Sequence, residues 1–251
     1  MGRVWWYFTG GSAAALSAGV YWTMFSSYSQ AWGAFPFRGP TTAPDGAPQI
    51  CLTFDDGPNE PFTSQIADRL AQDGVRATFF QVGQCVRRHP EVSARLRRDG
   101  HVIGNHSWSH TMSRVLTSGD QDREIGHAQD ILTRVLGLTP ALYRPPWLLR
   151  TPGLARVAGR HRLRCISGTF AHPLEFRQPP AAKIARRALA RARPGAILIF
   201  HDGFDAHGGD RSQTVLAVGT VIEQLRRRGY RFVTVDELLG IPAYAPEPRP
   251  A

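Results

Sequence analysis

The residues best able to do chemistry fall at four places in the 251-residue chain. Asp55-Asp56 stand on a Gly57-Pro58 turn after an apolar run, and His106 and His110 lie four residues apart. Arg144 is followed by Pro145, Pro146 and Trp147, and His201-Asp202 close the apolar run Ala196–Phe200. Of the nine histidines, only His106 and His110 have the four-residue spacing. On a helix or in a tight turn, two imidazoles so spaced face one way and can share a cation. A carboxylate beside them completes a set that leaves positions open for water and substrate, as in hydrolytic zinc sites. Adjacent residues of an extended chain point to opposite sides, so one of Asp55 and Asp56 can bind metal while the other faces water. His201 emerges at a strand end, where it could protonate a leaving group. The planar guanidinium of Arg144 suits orienting a carboxylate, and Trp147 suits either a core or the wall of a sugar or acetyl pocket. Taken singly, each feature has a plainer reading: capping aspartates in a turn, histidines on a solvated face, a surface arginine.

The elements that must position them alternate. β-prone runs occur at Gln49–Phe54, Ala77–Val82, His101–Gly104, Ala141–Arg144, Leu163–Ser167, Ala196–His201 and Arg231–Val235. Between most of them lie helical patterns at Thr63–Asp73, Glu91–Arg98, Gln121–Leu136, Pro152–Gly159, Ala181–Ala192 and Thr214–Arg228. This alternation predicts an α/β fold with mainly parallel strands, compatible with an open doubly wound sheet or a barrel. The polar residues singled out, with Glu175 shortly after the fifth run, all fall at strand carboxyl ends, where both architectures build active sites. No Gly-x-Gly-x-x-Gly or Walker loop opens a helix, so no nucleotide site is indicated.

Composition narrows the class. With 42% apolar and 20% charged residues the chain can close a core and is not disordered. Its three cysteines exclude a disulfide scaffold and a Cys-rich metal site; Cys51 and Cys165 read as buried thiols, and one bridge involving Cys85 stays open. The formal net charge is +10, and Lys183 is the only lysine, so the basic residues are almost all arginine. They are scattered in small groups without interleaved aromatics, so no nucleic-acid partner is expected. Attraction to an anionic membrane or cell-wall surface fits better.

Val4 to Phe25 carries no charge, has aromatics at both ends, and at about 1.5 Å per residue would reach about 30 Å. It is read as a single N-terminal membrane anchor with the catalytic domain outside the cytoplasm. A signal segment cleaved on secretion is the alternative, and a buried helix the plainest one. The expected organisation is an anchor or signal segment over 1–34, a Pro-rich linker over 35–48, a catalytic domain over 49–240 and a Pro-rich, frayed tail over 241–251.

Thr53-Phe54-Asp55-Asp56-Gly57-Pro58, His106-Ser107-Trp108-Ser109-His110, Arg144-Pro145-Pro146-Trp147 and Ile199-Phe200-His201-Asp202-Gly203 together resemble, in order, the motifs of the polysaccharide deacetylase family. Its catalytic unit is also called the NodB-homology domain, or carbohydrate esterase family 4, and the resemblance covers about Gln49 to Leu239. It implies a distorted (β/α) barrel of about seven parallel strands. It also implies metal-dependent removal of acetyl groups from N-acetylglucosamine units of a glycan, either peptidoglycan or chitin-like oligomers. Asp56, His106 and His110 would hold a divalent cation, zinc foremost, with Co2+ or other divalent ions compatible. Asp55 would be the general base held by Arg144, and His201 the general acid. Trp147 would give a backbone N–H to the oxyanion, and Trp147, Ile199 and Pro145 would line the substrate and acetyl pocket. Where the family usually has Asp-Trp after its fifth strand, this chain offers Leu174-Glu175-Phe176, so Glu175 is the candidate for that position. An O-acetyl esterase of xylan type and a non-catalytic glycan binder are the alternatives.

Overall fold

The computed structural model describes residues 17–246. Eight strands are described: β1 Gln49–Asp55, β2 Thr78–Gln81, β3 Val102–Asn105, β4 Leu142–Tyr143, β5 Arg164–Cys165, β6 Thr169–Phe170, β7 Ala196–His201 and β8 Arg231–Phe232. The helices are α1 (residues 17–25), α2 Phe62–Gln72, α3 Gly83–Arg88, α4 Pro90–Arg98, α5 Ser118–Leu136, α6 Leu154–Arg160, α7 Ala181–Arg191, α8 Ser212–Arg227 and α9 Val235–Leu239. Seven strands follow the order β5-β4-β3-β2-β1-β7-β6, with β8 on β1, and every pairing is parallel. β5 and β6, at the two ends of that order, are not paired; residues 166–168 join them. The architecture is therefore an incompletely closed (β/α) barrel.

The alternation of strand side chains explains both cores. Outward residues such as Ile50, Leu52, Phe54, Phe79, Leu198 and Phe200 pack under the helices. α8 is held there by Ala217, Val218, Val221, Ile222 and Leu225, a single helical stripe. Inward residues change character along the barrel axis. Cys51, Phe80, Val102, Leu142, Ile166 and Ile197 form a second apolar cluster. Thr53 and then Asp55 follow on β1, and Ile199 and then His201 on β7, so polarity rises toward the carboxyl ends.

The sequence-based runs find these elements within a few residues, except β6, α3 and α9. β6 has two residues, too few for a period to show, and α3 begins at Gly83 with no side-chain cap. All three cysteines are free and buried.

The expected membrane anchor is corrected. Among the described residues no helix is long and apolar enough to cross a membrane. Helix α1 is described only over residues 17–25, and the part of the expected span before it lies outside the described residues. The segment after α1 is fixed to the barrel. The Arg150 N–H donates to the Met24 carbonyl (2.8 Å), and its guanidinium donates to the carbonyls of Ser26 (2.6 Å) and Ser27 (3.3 Å). Tyr21 and Phe25 line the main cleft, so aromatics read as a lipid belt face the active side of the barrel. The Pro-rich stretch 35–48 also lies on the domain. Phe35 is fully buried beside Tyr143 and Leu154, and Gly39 N–H donates to Gly195 O at 2.8 Å. The tail is tied down as far as it is described: Ala141 N–H donates to Ala243 O, and Ala245 N–H to Thr139 O.

Candidate active site

A cleft of about 590 Å³ opens at the carboxyl ends of the strands. Asp55, Asp56, His106, His110, Trp147, Glu175 and His201 all line it. Asp55 and His201 are direct neighbours across β1 and β7. Neighbouring strands run about 4.8 Å apart, so the two side chains leave the sheet side by side.

Asp56 leaves β1 in a left-handed conformation (φ 78°), which separates its carboxylate from that of Asp55. Its Oδ1 lies 3.3 Å from His106 Nε2 and 3.2 Å from His110 Nε2, and all three residues are buried. Burial pushes the Asp56 carboxyl upward in pKa, but the His110 charge and the adjacent His106 imidazole outweigh it and hold it well below the usual carboxylate range. The histidines are carried by a tight turn, with Ser107 (φ 68°) and His110 (φ 51°) left-handed. That turn is over-determined: Ser107 N–H donates to Asn105 Oδ1 (2.9 Å), His110 N–H to Ser107 Oγ (3.2 Å) and Ser109 N–H to Glu124 Oε2 (2.7 Å). His106 Nδ1 lies 2.6 Å from the Arg144 carbonyl oxygen, a bond that orients this ring from behind, and His110 Nδ1 lies 2.9 Å from the Asp205 carboxylate, close enough for an ion pair.

Whether these residues fit a cation is answered by what is left over. One ligand atom from each of Asp56, His106 and His110 lies within 4.8 Å of the others. Asp56 Oδ1 is buried without a hydrogen-bond donor. A buried anionic oxygen facing two imidazole nitrogens and lacking a donor is costly unless a cation sits among them. The donor set fits a divalent metal.

Two pairs flank this group. Arg144, fully buried, donates from Nη1 to Asp55 Oδ1 (2.7 Å) and Thr53 Oγ1 (2.7 Å), and from Nη2 to Ser167 O (3.0 Å). Its guanidinium lies over the Phe80 ring, 4.1 Å from the centroid. On the other side Glu175, buried on a short 3-10 turn, has Oε2 3.2 Å from His201 Nδ1. The Glu175 Oε1 accepts from His201 N–H (3.2 Å) and Thr214 Oγ1 (2.8 Å). Burial lowers the His201 pKa, but the Glu175 bond and charge, with Asp56 and Asp55 behind, raise it to about 9.

Trp147 has φ 52°, a conformation rare for a residue with a side chain, and its ring meets His110 edge-on at 4.3 Å. Pro145 and Ile199 are not among the residues that line the cleft. Ile199 is fully buried, one step below His201 on the same strand face, against Gly168.

Sequence reading missed several members. Asp205 and Thr214 reach the site from the segment after β7 and from α8, with no motif to mark them. Phe170 stacks on His201 (6.0 Å, 7°) from a two-residue strand. Tyr21 and Phe25 were visible only as an aromatic cluster, and they stack on each other at 5.0 Å.

Comparison with known proteins agrees with this geometry. The family model described as polysaccharide deacetylase matches residues 42–166. A peptidoglycan-N-acetylglucosamine deacetylase of Bacillus cereus is 32% identical over 197 residues, covering 78% of this chain and 90% of the relative. A chitooligosaccharide deacetylase of Azorhizobium caulinodans is 30% identical over 190 residues, covering 72% and 90%. In three dimensions the chain is similar to the crystal structure of a peptidoglycan N-acetylglucosamine deacetylase in complex with 4-naphthalen-1-yl-N-oxidanyl-benzamide. The TM-score is 0.76 at 28% identity, over 84% of this chain and 95% of the other. The chain belongs to the polysaccharide deacetylase family, and with it to the hydrolases.

Proposed function

We propose that the protein removes the acetyl group from N-acetylglucosamine units of a glycan, leaving a free amine and releasing acetate. The observation that carries this is the pairing of Asp55 with Arg144 and of His201 with Glu175, on either side of Asp56, His106 and His110, in one open cleft. Relatives named for peptidoglycan N-acetylglucosamine and for chitooligosaccharides support the substrate class.

Asp56, His106 and His110 would hold the cation, zinc first and Co2+ or another divalent ion as alternatives. When bound, it would polarise the acetamide carbonyl and make a water more acidic. The remaining work falls to the chain. Asp55, paired with Arg144 and pointed by it, takes a proton from the attacking water as the carbonyl carbon becomes tetrahedral. The Trp147 backbone N–H stabilises the developing oxyanion. His201, kept protonated by Glu175, gives its proton to the departing nitrogen, and the C–N bond breaks. The aromatic walls from Trp147, Phe170, Tyr21 and Phe25 suit the apolar faces of sugar rings and the acetyl methyl.

The test is acetate release from N-acetylglucosamine oligomers, peptidoglycan strands and O-acetylated xylan, each with and without chelator. Chelator-sensitive release from the N-acetylated substrates, with matching free amine, is expected. Release from acetylxylan alone would replace the amide reading with an ester one. Glycan binding without release from any substrate would make the protein a binder.

A further inference from the structure

A second groove lies behind β6. Its volume is about 510 Å³, and Arg38, Arg187, Arg191, Arg193, Tyr28 and Phe37 line it together with Thr169. Thr169 and Phe170 are consecutive, and the first faces this groove while the second faces the catalytic cleft. The two depressions are thus opposite sides of one short strand.

The groove gathers four arginines at one place. Several arginines elsewhere sit beside carboxylates, as in Arg69 with Asp73, Arg76 with Glu237, Arg95 with Asp68 and Arg231 with Asp45. None of the ion pairs among the described residues involves Arg38, Arg187, Arg191 or Arg193. The Arg191 Nε is buried without a hydrogen-bond acceptor. Between Glu175 and Asp202 the chain carries Arg177, Lys183, Arg186, Arg187, Arg191 and Arg193 and no acidic residue, so α7 supplies no counter-charge of its own. The positive field extends to the cleft. His172, which lines the cleft, is lowered in pKa by burial first, against a raising effect of Glu175, and then by Lys183, Arg187 and Arg191.

Tyr28 and Phe37 form an edge-to-face pair at 5.1 Å, and the Arg38 guanidinium lies 5.5 Å from the Phe37 centroid. Aromatic faces beside unpaired guanidinium forks match a sugar ring carrying a carboxylate: the ring packs on the aromatic face, and the fork takes the carboxylate in a bidentate pair. We propose that this groove is a second glycan-binding site that takes carboxylate-bearing sugar units, so that the enzyme grips acidic glycan strands at a place separate from the reacting acetamide. The proposal rests on the glycan reading of the cleft and adds the charge of the substrate to it.

The full chain is compared with Arg187→Gln combined with Arg38→Gln, both at exposed positions, and with Arg228→Gln combined with Arg134→Gln, also exposed and outside the groove, as a charge-matched control. Binding is followed by calorimetry, which needs no turnover and so separates failure of this site from failure of the deacetylase reading. The probes are oligogalacturonate, lactyl- and peptide-bearing peptidoglycan strands, neutral N-acetylglucosamine pentamer and single-stranded DNA of equal charge. Expected is a loss of about tenfold or more in affinity for the carboxylate-bearing glycans in the double variant, equal to about 1.4 kcal/mol. The control should be unchanged, and affinity for the neutral pentamer should move less than twofold. A response to oligogalacturonate but not to peptidoglycan strands would identify uronic acids as the source of the carboxylate, and the reverse would identify lactyl or peptide groups. Unchanged affinity for both acidic glycans, equal loss on the neutral pentamer, or DNA bound as tightly as the glycans would each overturn the proposal. Arg191→Gln alone, which retains the exposed Arg38, Arg187 and Arg193, should show a smaller loss in the same direction; a gain would contradict the site.

Discussion

At the scale of single residues, the site works by giving neighbouring groups different partners. Asp55 and Asp56 are adjacent in sequence, yet one faces Arg144 and the other two imidazoles, because the chain turns left-handed between them. Glu175 reaches His201 twice, at the ring and at the backbone. Its effect is testable through pH. A general acid works only while protonated, so turnover should persist as pH rises and fall through the His201 pKa, raised to about 9 from 6.5. A cation beside Asp56 cancels part of that carboxylate's pull, so in the loaded enzyme the limb lies at or below that value. Glu175→Gln removes both bond and charge and should bring the alkaline limb of kcat down toward the ordinary histidine value. Metal content should stay the same, and Glu175→Asp should recover part of the shift. An alkaline limb that does not move would mean that Glu175 does not set the acid.

At the scale of elements, the site depends on two turns pressed together. Asp202 and Gly203 N–H groups both donate to Asp55 O (3.1 and 3.3 Å), and Gly57 N–H donates back to Asp202 Oδ1 (3.1 Å). A Cβ on Gly57 would lie 1.9 Å from Asp202 Oδ2, which Thr63 Oγ1 pins at 2.6 Å. Gly57→Ala should therefore displace the aspartate turn and lower turnover by about 10²-fold, the cost of a displacement near 1 Å. Circular dichroism of the variant should match the parent; unchanged activity would show that the turn has slack. This contact also shows what the sequence made legible. The motifs, their order and their location at strand ends follow from residue types and alternation, because chemistry and period are local properties. Asp205, Thr214 and the pairing of Gly57 with Asp202 depend on distances set by the whole barrel, and nothing local marks them. Two-residue strands such as β6 carry no period to read. The aromatic N-terminal stretch misled because a lipid belt and the wall of a cleft use the same side chains.

At the scale of the molecule, Arg150 ties the N-terminal segment to the barrel. It is fully buried, donates to the carbonyls of Ser26, Ser27 and Leu148 and to Ser167 Oγ, and thereby seats Tyr21 and Phe25 at the cleft. Each buried acceptor left without a donor costs about 1–3 kcal/mol. Arg150→Met should thus lower stability by about 3 kcal/mol, a fall of about 6–12 °C in Tm for a chain of this size. KM should rise while metal content stays the same; an unchanged KM would mean the N-terminal wall does not touch substrate. In the proposed reading the barrel holds cation-binding and proton-moving groups apart within one cleft. The most direct test of that division is metal content and acetate release measured together on Asp55→Asn and Asp56→Ala. Binding a cation and taking a proton need lone pairs aimed in different directions. Asp55→Asn should keep the metal and lose about 10²- to 10⁴-fold in turnover, whereas Asp56→Ala should lose metal and activity together. Equal loss of metal from both variants would contradict the division of roles, because Asp55 would then be a ligand and the base would have to be sought elsewhere.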